Sequence, residues 1–158
     1  MKKIIRPLSI LLSLLMLLSV IAAAPFTVSA AQADAEKAVG AYGTTRDCQW
    51  RFNEATGEFS VTGNGAMGDY ASAENRPWKA FADKITSVSI GSGVTHIGAF
   101  AFMNADINSL VVPQSVKSIG ECAFDTCEKL SRVYFASGLE SIGRKAFRDC
   151  KLSELYKR

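Results

Sequence analysis

The chain has 158 residues, with 18 Lys and Arg against 15 Asp and Glu, a formal net charge of +3. That length holds one domain and is too short for a two-domain enzyme. A composition that is 48% hydrophobic and 21% charged excludes a disordered chain, and four cysteines are too few for a disulfide scaffold.

The first element is an address. Lys2, Lys3 and Arg6 form a basic cluster, no Asp or Glu precedes Asp34, and Leu8 to Ala24 is apolar apart from Ser9, Ser13 and Ser19. Pro25 ends the run, and Val28-Ser29-Ala30 supplies the small residues that a signal peptidase reads, with a second cut open after Ala33. This pattern describes a secretory signal peptide over residues 1–30. The alternative is a retained anchor, since the apolar run approaches the roughly 20 residues that span a bilayer. Removing residues 1–30 leaves 15 basic and 15 acidic groups, a neutral chain with no membrane span. Such a chain offers no electrostatic case for nucleic acid, which needs clustered Lys and Arg against phosphate.

Residues 31–44, rich in Ala and Gly and without a sustained strand pattern, read as an N-terminal tail or linker. Over 45–84 the pattern changes. Trp50 and Phe52 alternate with polar residues, as do Phe59 and Val61, and the five residues Asn53 to Gly57 lie between them. This is the signature of a β-hairpin. Met67 and Trp78 follow, and the whole segment reads as a hairpin cap, with a small polar loop over Asp69 to Asn75. Trp50, Tyr70 and Trp78 are read as cap core, with stacking platforms for sugar rings as the alternative. Tyr70, in the loop, is the exposed candidate.

Residues 85–158 repeat. Ile97-Gly98-Ala99-Phe100-Ala101-Phe102 returns as Ile119-Gly120-Glu121-Cys122-Ala123-Phe124 and as Ile142-Gly143-Arg144-Lys145-Ala146-Phe147, at spacings of 22 and 23 residues. Ile85, Val88, Ile90 and Val94 recur as Ile107, Leu110, Val112 and Val116, then as Leu130, Val133, Phe135 and Leu139, and Leu152 and Leu155 open a fourth copy. The pairs Val88/Ile90, Leu110/Val112 and Val133/Phe135 alternate as half-buried strands do. The Ile-Gly-x-x-Ala-Phe block suits a short helical or turn segment returning on the opposite side. Stacked units then share a core that none could bury alone. The expected fold is an α/β solenoid of about three and a half coils with parallel strands. Ile97, Phe102, Ile119, Phe124, Cys127, Ile142, Phe147 and Cys150 are expected at its structural repeat positions.

The string Ile-Gly-x-x-Ala-Phe-x-x-Cys followed by Leu-x-x-Val-x-Phe is similar to the BspA-type bacterial leucine-rich repeat over residues 85–158. Trp50-x-Phe52, the Thr56-Gly57 to Met67 stretch, Tyr70 and Pro77-Trp78 resemble the segment that often precedes such repeats. The resemblance implies a secreted or surface-exposed protein that binds other molecules. Members of that family have been linked to adhesion to host matrix proteins and to other cells, and no shared catalytic residues carry over.

Chemistry is sparse. The one histidine, His96, corresponds to Ser118 and Ser141 in the other copies and reads as a surface residue. A serine hydrolase would need a specific serine and a third orienting group. No zinc spacing, calcium loop or phosphate-binding glycine loop is present, so neither a cofactor nor an enzyme is expected. Cys127 and Cys150 share a repeat position held by Ala105, which favours small buried thiols. Stacked coils also bring such a pair within bridging range, so a disulfide stays open.

Between the apolar pairs, residues face outward in ladders: Ser87, Ser109, Arg132, Glu154 and Ser89, Val111, Tyr134, Tyr156. Arg132, Tyr134, Glu154 and Tyr156, with Tyr70 in the cap, are the candidate ligand contacts, the alternative for the ladder being an ordinary solvated face. A protein partner, host or cell-surface, is expected. The terminal strand over Leu152 to Tyr156 has no cap beyond it, with Lys157 and Arg158 beside the edge, so the chain either pairs end to end or belongs to a longer repeat array. Residues 31–141 hold 9 basic and 13 acidic groups and residues 142–158 hold 6 and 2, which favours a head-to-tail contact.

Overall fold

The computed structural model describes residues 40–157. The expected signal peptide and the tail through Val39 lie outside the described residues. The strands are β1 (Ala41–Thr45), β2 (Cys48–Asn53), β3 (Glu58–Gly63), β4 (Gly65–Ala66), β5 (Ser87–Ile90), β6 (Val94–Ile97), β7 (Ser109–Val112), β8 (Ser118–Ile119), β9 (Arg132–Phe135), β10 (Ser141–Ile142) and β11 (Glu154–Lys157).

The expected hairpin is present, β2 pairing antiparallel with β3 so that Phe52 stands beside Phe59, but the cap extends beyond it. Residues 41–44, expected in a linker, belong to β1, which pairs antiparallel with β2. Small Gly43 is what allows this, because a Cβ there would stand 2.8 Å from the Trp50 ring. The β2–β3 turn is built by Asn53, whose side-chain oxygen accepts the Ala55 and Thr56 N–H groups at 3.0 and 3.3 Å. Gly57 then closes it at φ +71. β3 also pairs in parallel with β5, Phe59 beside Val88 and Val61 beside Ile90. One cap strand therefore serves as the first rung of the repeat ladder, which a free-standing hairpin could not do.

Beyond the cap the strands stack in register. Leu110 stands beside Val133 and Val133 beside Leu155 on one wall, while Ile97, Ile119 and Ile142 align on a second wall of β4, β6, β8 and β10. Period-two alternation turns Leu110, Val112 and Val133 into the core, where they are buried. The third wall is made of turns. No α-helix occurs among the described residues, and the two 3-10 segments, Ala73–Asn75 and Lys79–Lys84, both lie in the cap. The α/β expectation is therefore corrected to parallel strands joined by turns. The reason lies in the backbone: Phe100, Cys122 and Lys145, and again Asn104, Thr126 and Asp149, all adopt φ between 52 and 62. Two left-handed residues in each return prevent a right-handed helix. The glycine of each Ile-Gly block permits the close stacking, since a Cβ on Gly143 would lie 2.6 Å from the Glu121 nitrogen.

Asn and Asp tolerate the left-handed region, whereas β-branched Thr126 does not. Thr126→Asn is expected to stabilise the protein by about 1 kcal/mol, read as a raised thermal midpoint. A lowered midpoint would show that the turn is set by the threonine itself.

Inside the walls an aromatic spine runs along the stack. Phe102 and Phe124 lie 5.4 Å apart and Phe124 and Phe147 5.3 Å apart, nearly parallel. Trp78 extends the spine into the cap, 6.1 Å from Phe102. Ion pairs join successive repeats at the surface, Lys129 to Asp106 at 2.7 Å, Arg144 to Glu121 at 2.9 Å and Arg148 to Asp125 at 2.6 Å. Arg144 and Arg148 are thus engaged within the stack, which reduces the charge contrast expected to drive head-to-tail contact. The last coils are less covered: Ile142, expected in the interior, is 51% exposed, and Leu155 of the fourth copy is 63% exposed with no strand beyond it among the described residues. No described helix is long and apolar enough to cross a membrane.

Candidate functional site: the outer face of the parallel sheet

The ladders of β7, β9 and β11 bring four of the five candidate contacts together. Register places Ser109 beside Arg132 and Arg132 beside Glu154, and likewise Val111 beside Tyr134 and Tyr134 beside Tyr156. The spacing between parallel strands is close to that of stacked rings, and the two tyrosines stack with centroids 4.8 Å apart and planes within 4°. The Tyr156 hydroxyl donates to Glu154 Oε2 at 2.9 Å, which raises the phenol pKa because the charged neighbour opposes ionisation. Beside the stack, Val111 is 62% exposed and forms the floor of an open groove of about 420 Å³. Pro113 and Ala136 close it at the strand ends, and the Tyr134 ring lines its side. Pro113 and Ala136 were not singled out by repeat logic, since they lie one residue past the strands; a proline ending β7 was the available signal.

Tyr70 does not join this face. It is half-buried, packs edge-on against Trp78 at 5.4 Å, and shares a 2.6 Å hydrogen bond with the Thr45 hydroxyl. Burial pushes its phenol pKa up. Tyr70 is the most exposed of the three cap aromatics, yet its ring packs into the cap rather than standing free in the loop. Trp50 and Trp78 are buried in the cap, as their core reading requires.

The cap closes the stack through three backbone carbonyls. Within the stack, Phe100, Phe102 and Asn104 donate their N–H groups to Glu121, Ala123 and Asp125 of the next repeat at 2.8–3.0 Å. Cys122, Phe124 and Thr126 do the same to Arg144, Ala146 and Arg148. The equivalent carbonyls of the first repeat belong to Ala99, Ala101 and Met103, and cap groups meet all three. The Tyr70 N–H reaches Ala99 at 3.2 Å, the Trp78 indole reaches Ala101 at 2.8 Å, and the Arg76 guanidinium reaches Met103 at 2.7 Å. Arg76 is 5% exposed, and burial lowers its pKa below the usual guanidinium value. One backbone N–H and two side chains thus imitate a preceding repeat.

His96 also differs from its surface reading. Its Nδ1 lies 2.7 Å from the Ser118 hydroxyl and its Nε2 2.9 Å from Asp69 Oδ1, which also accepts the Ala99 N–H at 2.7 Å. Burial of the Asp69 carboxylate pushes its pKa up, but the hydrogen bonds from His96 and Ala99 and the nearby positive charge outweigh it and leave it lowered. The carboxylate ties the cap loop to the first repeat, and the imidazole continues the tie to the second. A histidine at a position otherwise held by serine was the one sequence signal for it.

The buried repeat positions Ile97, Phe102, Ile119, Phe124 and Cys127 line the core, while Phe147 and Cys150 are partly covered. All four cysteines are free thiols. Cys127 and Cys150 donate to the carbonyls of Phe102 and Phe124 at 3.2 and 3.1 Å, tying each repeat to the one before. The neighbouring Cys150 thiol and then burial push the Cys127 thiol pKa up. Among the described residues no group of three or more His, Cys, Asp and Glu is placed to hold a metal.

Residues 78–157 match the family model described as BspA type Leucine rich repeat region (6 copies). Among solved structures, the chain is similar to a leucine-rich repeat protein from Eubacterium ventriosum, with a TM-score of 0.51 and 22% identity. The match covers 73% of this chain and 40% of that one, and at this identity it speaks to the fold alone. No curated protein matches. The in-register strands, the recurring Ile-Gly-x-x-Ala-Phe turns and the family match over about half the sequence agree: the chain belongs to the BspA-type leucine-rich repeat family.

Proposed function

We propose that this protein is an exported, non-catalytic solenoid module that binds a protein partner through the outer face of its parallel sheet, at the bacterial surface or outside the cell. Leucine-rich repeat domains usually mediate protein interactions, and proteins of this family are typically secreted or at the bacterial surface. The basic start, apolar run and small-residue end of residues 1–30 support export. The observation that carries the binding reading is the exposed pair Tyr134 and Tyr156, stacked beside a groove floored by exposed Val111. Soluble proteins seldom leave such apolar surface open without a partner, and tyrosine and arginine are the residues that concentrate binding energy.

The experiment is a pull-down from host-matrix and bacterial-surface extracts with the purified protein. Wild type is expected to retain a partner that the double variant Tyr134→Ala, Tyr156→Ala loses by about tenfold or more in affinity. Both side chains point to solvent, so the variant folds and its thermal midpoint serves as the control. Undiminished retention by a folded double variant would move the binding surface elsewhere.

A further inference from the structure

The tyrosine stack is incomplete. Each step along the ladder advances one strand, and Tyr134 and Tyr156 use that step as a ring-stacking distance, 4.8 Å centroid to centroid. The next step, toward β7, arrives at Val111, in register with Tyr134. A valine reaches only part of the way up a ring. What an aromatic residue would fill at this step is open groove, and the side of Tyr134 that faces it is accessible. The groove is lined there by the Tyr134 ring, Val111 and Pro113, and runs on past Ala136 at the strand ends.

The walls select the kind of ring. A sugar requires several convergent donors and acceptors, and the lining of valine, proline, alanine and tyrosine supplies almost none. An aromatic side chain requires only the stacking face and the apolar floor.

The charges select what lies beside it. Arg132 precedes Tyr134 by two residues on β9, so both point to the same outward face. Among the described residues Arg132 forms no ion pair. Its neighbour on β11, Glu154, is held by the Tyr156 hydroxyl at 2.9 Å. Its neighbour on the β7 side is exposed Ser109, small enough to leave room above it. An extended segment laid along the outward face of β7 would place residues i and i+2 about 6.7 Å apart on one side. With its ring above Val111, its second residue would stand above Ser109, next to the unpaired guanidinium.

We propose that this groove binds an extended peptide segment carrying an aromatic ring and a carboxylate two residues apart, the ring stacked on Tyr134 above Val111 and the carboxylate paired with Arg132. The inference rests on the reading of this face as a protein-binding surface and adds the chemistry of the partner. Either chain direction satisfies the geometry, because both place the same two side chains on one face.

The test uses fluorescently labelled Gly-Ser-flanked peptides with Glu-x-Trp or Trp-x-Glu at the centre and Lys in place of Glu as controls, titrated into the purified full chain by anisotropy. Wild type is expected to bind one Glu peptide at least about tenfold more tightly than its Lys counterpart, a preference that added salt reduces. Val111→Trp, which supplies the missing ring from within, is expected to abolish binding without lowering the thermal midpoint. Arg132→Glu is expected to invert the preference, so that the Lys peptide binds better. Equal binding of Glu and Lys peptides, a preference that Arg132→Glu does not invert, tighter capture of a Pro-rich control, or unaltered binding to Val111→Trp would each overturn the proposal. If no peptide binds while partner capture still depends on Tyr134 and Tyr156, the surface stands and the ring-and-carboxylate assignment falls. If Glu peptides bind but capture does not depend on the tyrosines, the surface reading falls with this one.

Discussion

Phe124→Ala is expected to lose about 4 kcal/mol of stability, a large fraction of what a small domain has. Phe124 is fully buried and stands in the middle of the aromatic spine, with ring partners on both sides at 5.4 and 5.3 Å. In a repeat protein, stability is the sum of each unit's own term and its nearest-neighbour interfaces. An alanine here opens a void that borders two interfaces at once, and the backbone cannot close over it, because Phe124 N–H and the following turns are hydrogen-bonded to Ala146 and its neighbours. Urea denaturation should show a lowered midpoint, and Phe124→Leu, which refills most of the volume, should lose less. A loss under about 1.5 kcal/mol would mean that the spine is not the principal core of the stack.

Arg76→Ala is expected to cost about 3 kcal/mol. The gain and loss oppose each other here. Removing a buried cation relieves its desolvation, since no carboxylate pairs with it among the described residues, and its Nε has no hydrogen-bond partner. Against that, its Nη1 meets the carbonyls of Phe100, Ala101 and Met103 at 3.2, 3.4 and 2.7 Å. Met103 loses its donor in the variant, and a hydrogen bond to a charged group contributes about 1.5–3 kcal/mol. The lost stem packing adds to this, because the side chain fills the junction between cap and first repeat. The loss of carbonyl contacts wins. Arg76→Lys should recover part of the loss, because all three carbonyl contacts come from the single Nη1 and an ammonium also carries three donors, although its more strongly hydrated charge costs more to bury. The measurement is denaturation followed by tryptophan fluorescence, because Trp78 binds the Ala101 carbonyl beside Arg76 and reports the junction directly. A variant as stable as wild type would assign cap closure to Tyr70 and Trp78 alone.

Much of the stack was legible residue by residue. Val133 and Phe135, or Ile119 and Phe124, announce their positions because burial demands the same apolar residue at every turn of the repeat. The outward pair Tyr134 and Tyr156 was legible for the same reason, since in-register strands place equivalent residues side by side. The cap was less so. Arg76 and Asp69 occur once each, and nothing in their spacing indicates carbonyls or an imidazole more than 20 residues away. Their partners are backbone groups or residues of another repeat, and periodicity does not describe such contacts. β1 was missed because Gly43 reads as flexible in a linear pattern, whereas it is required by the Trp50 ring beneath it.

Sequence alone determined the repeat, its period and its buried ladder, because those properties reside in residue type and spacing. Tertiary structure alone decided that the returns are turns, that cap groups act as a preceding repeat, and that Val111 stands exposed in an open groove beside Tyr134. Each of those depends on left-handed backbone angles, on carbonyl directions, or on the step between neighbouring strands, and these exist only once the chain has stacked on itself.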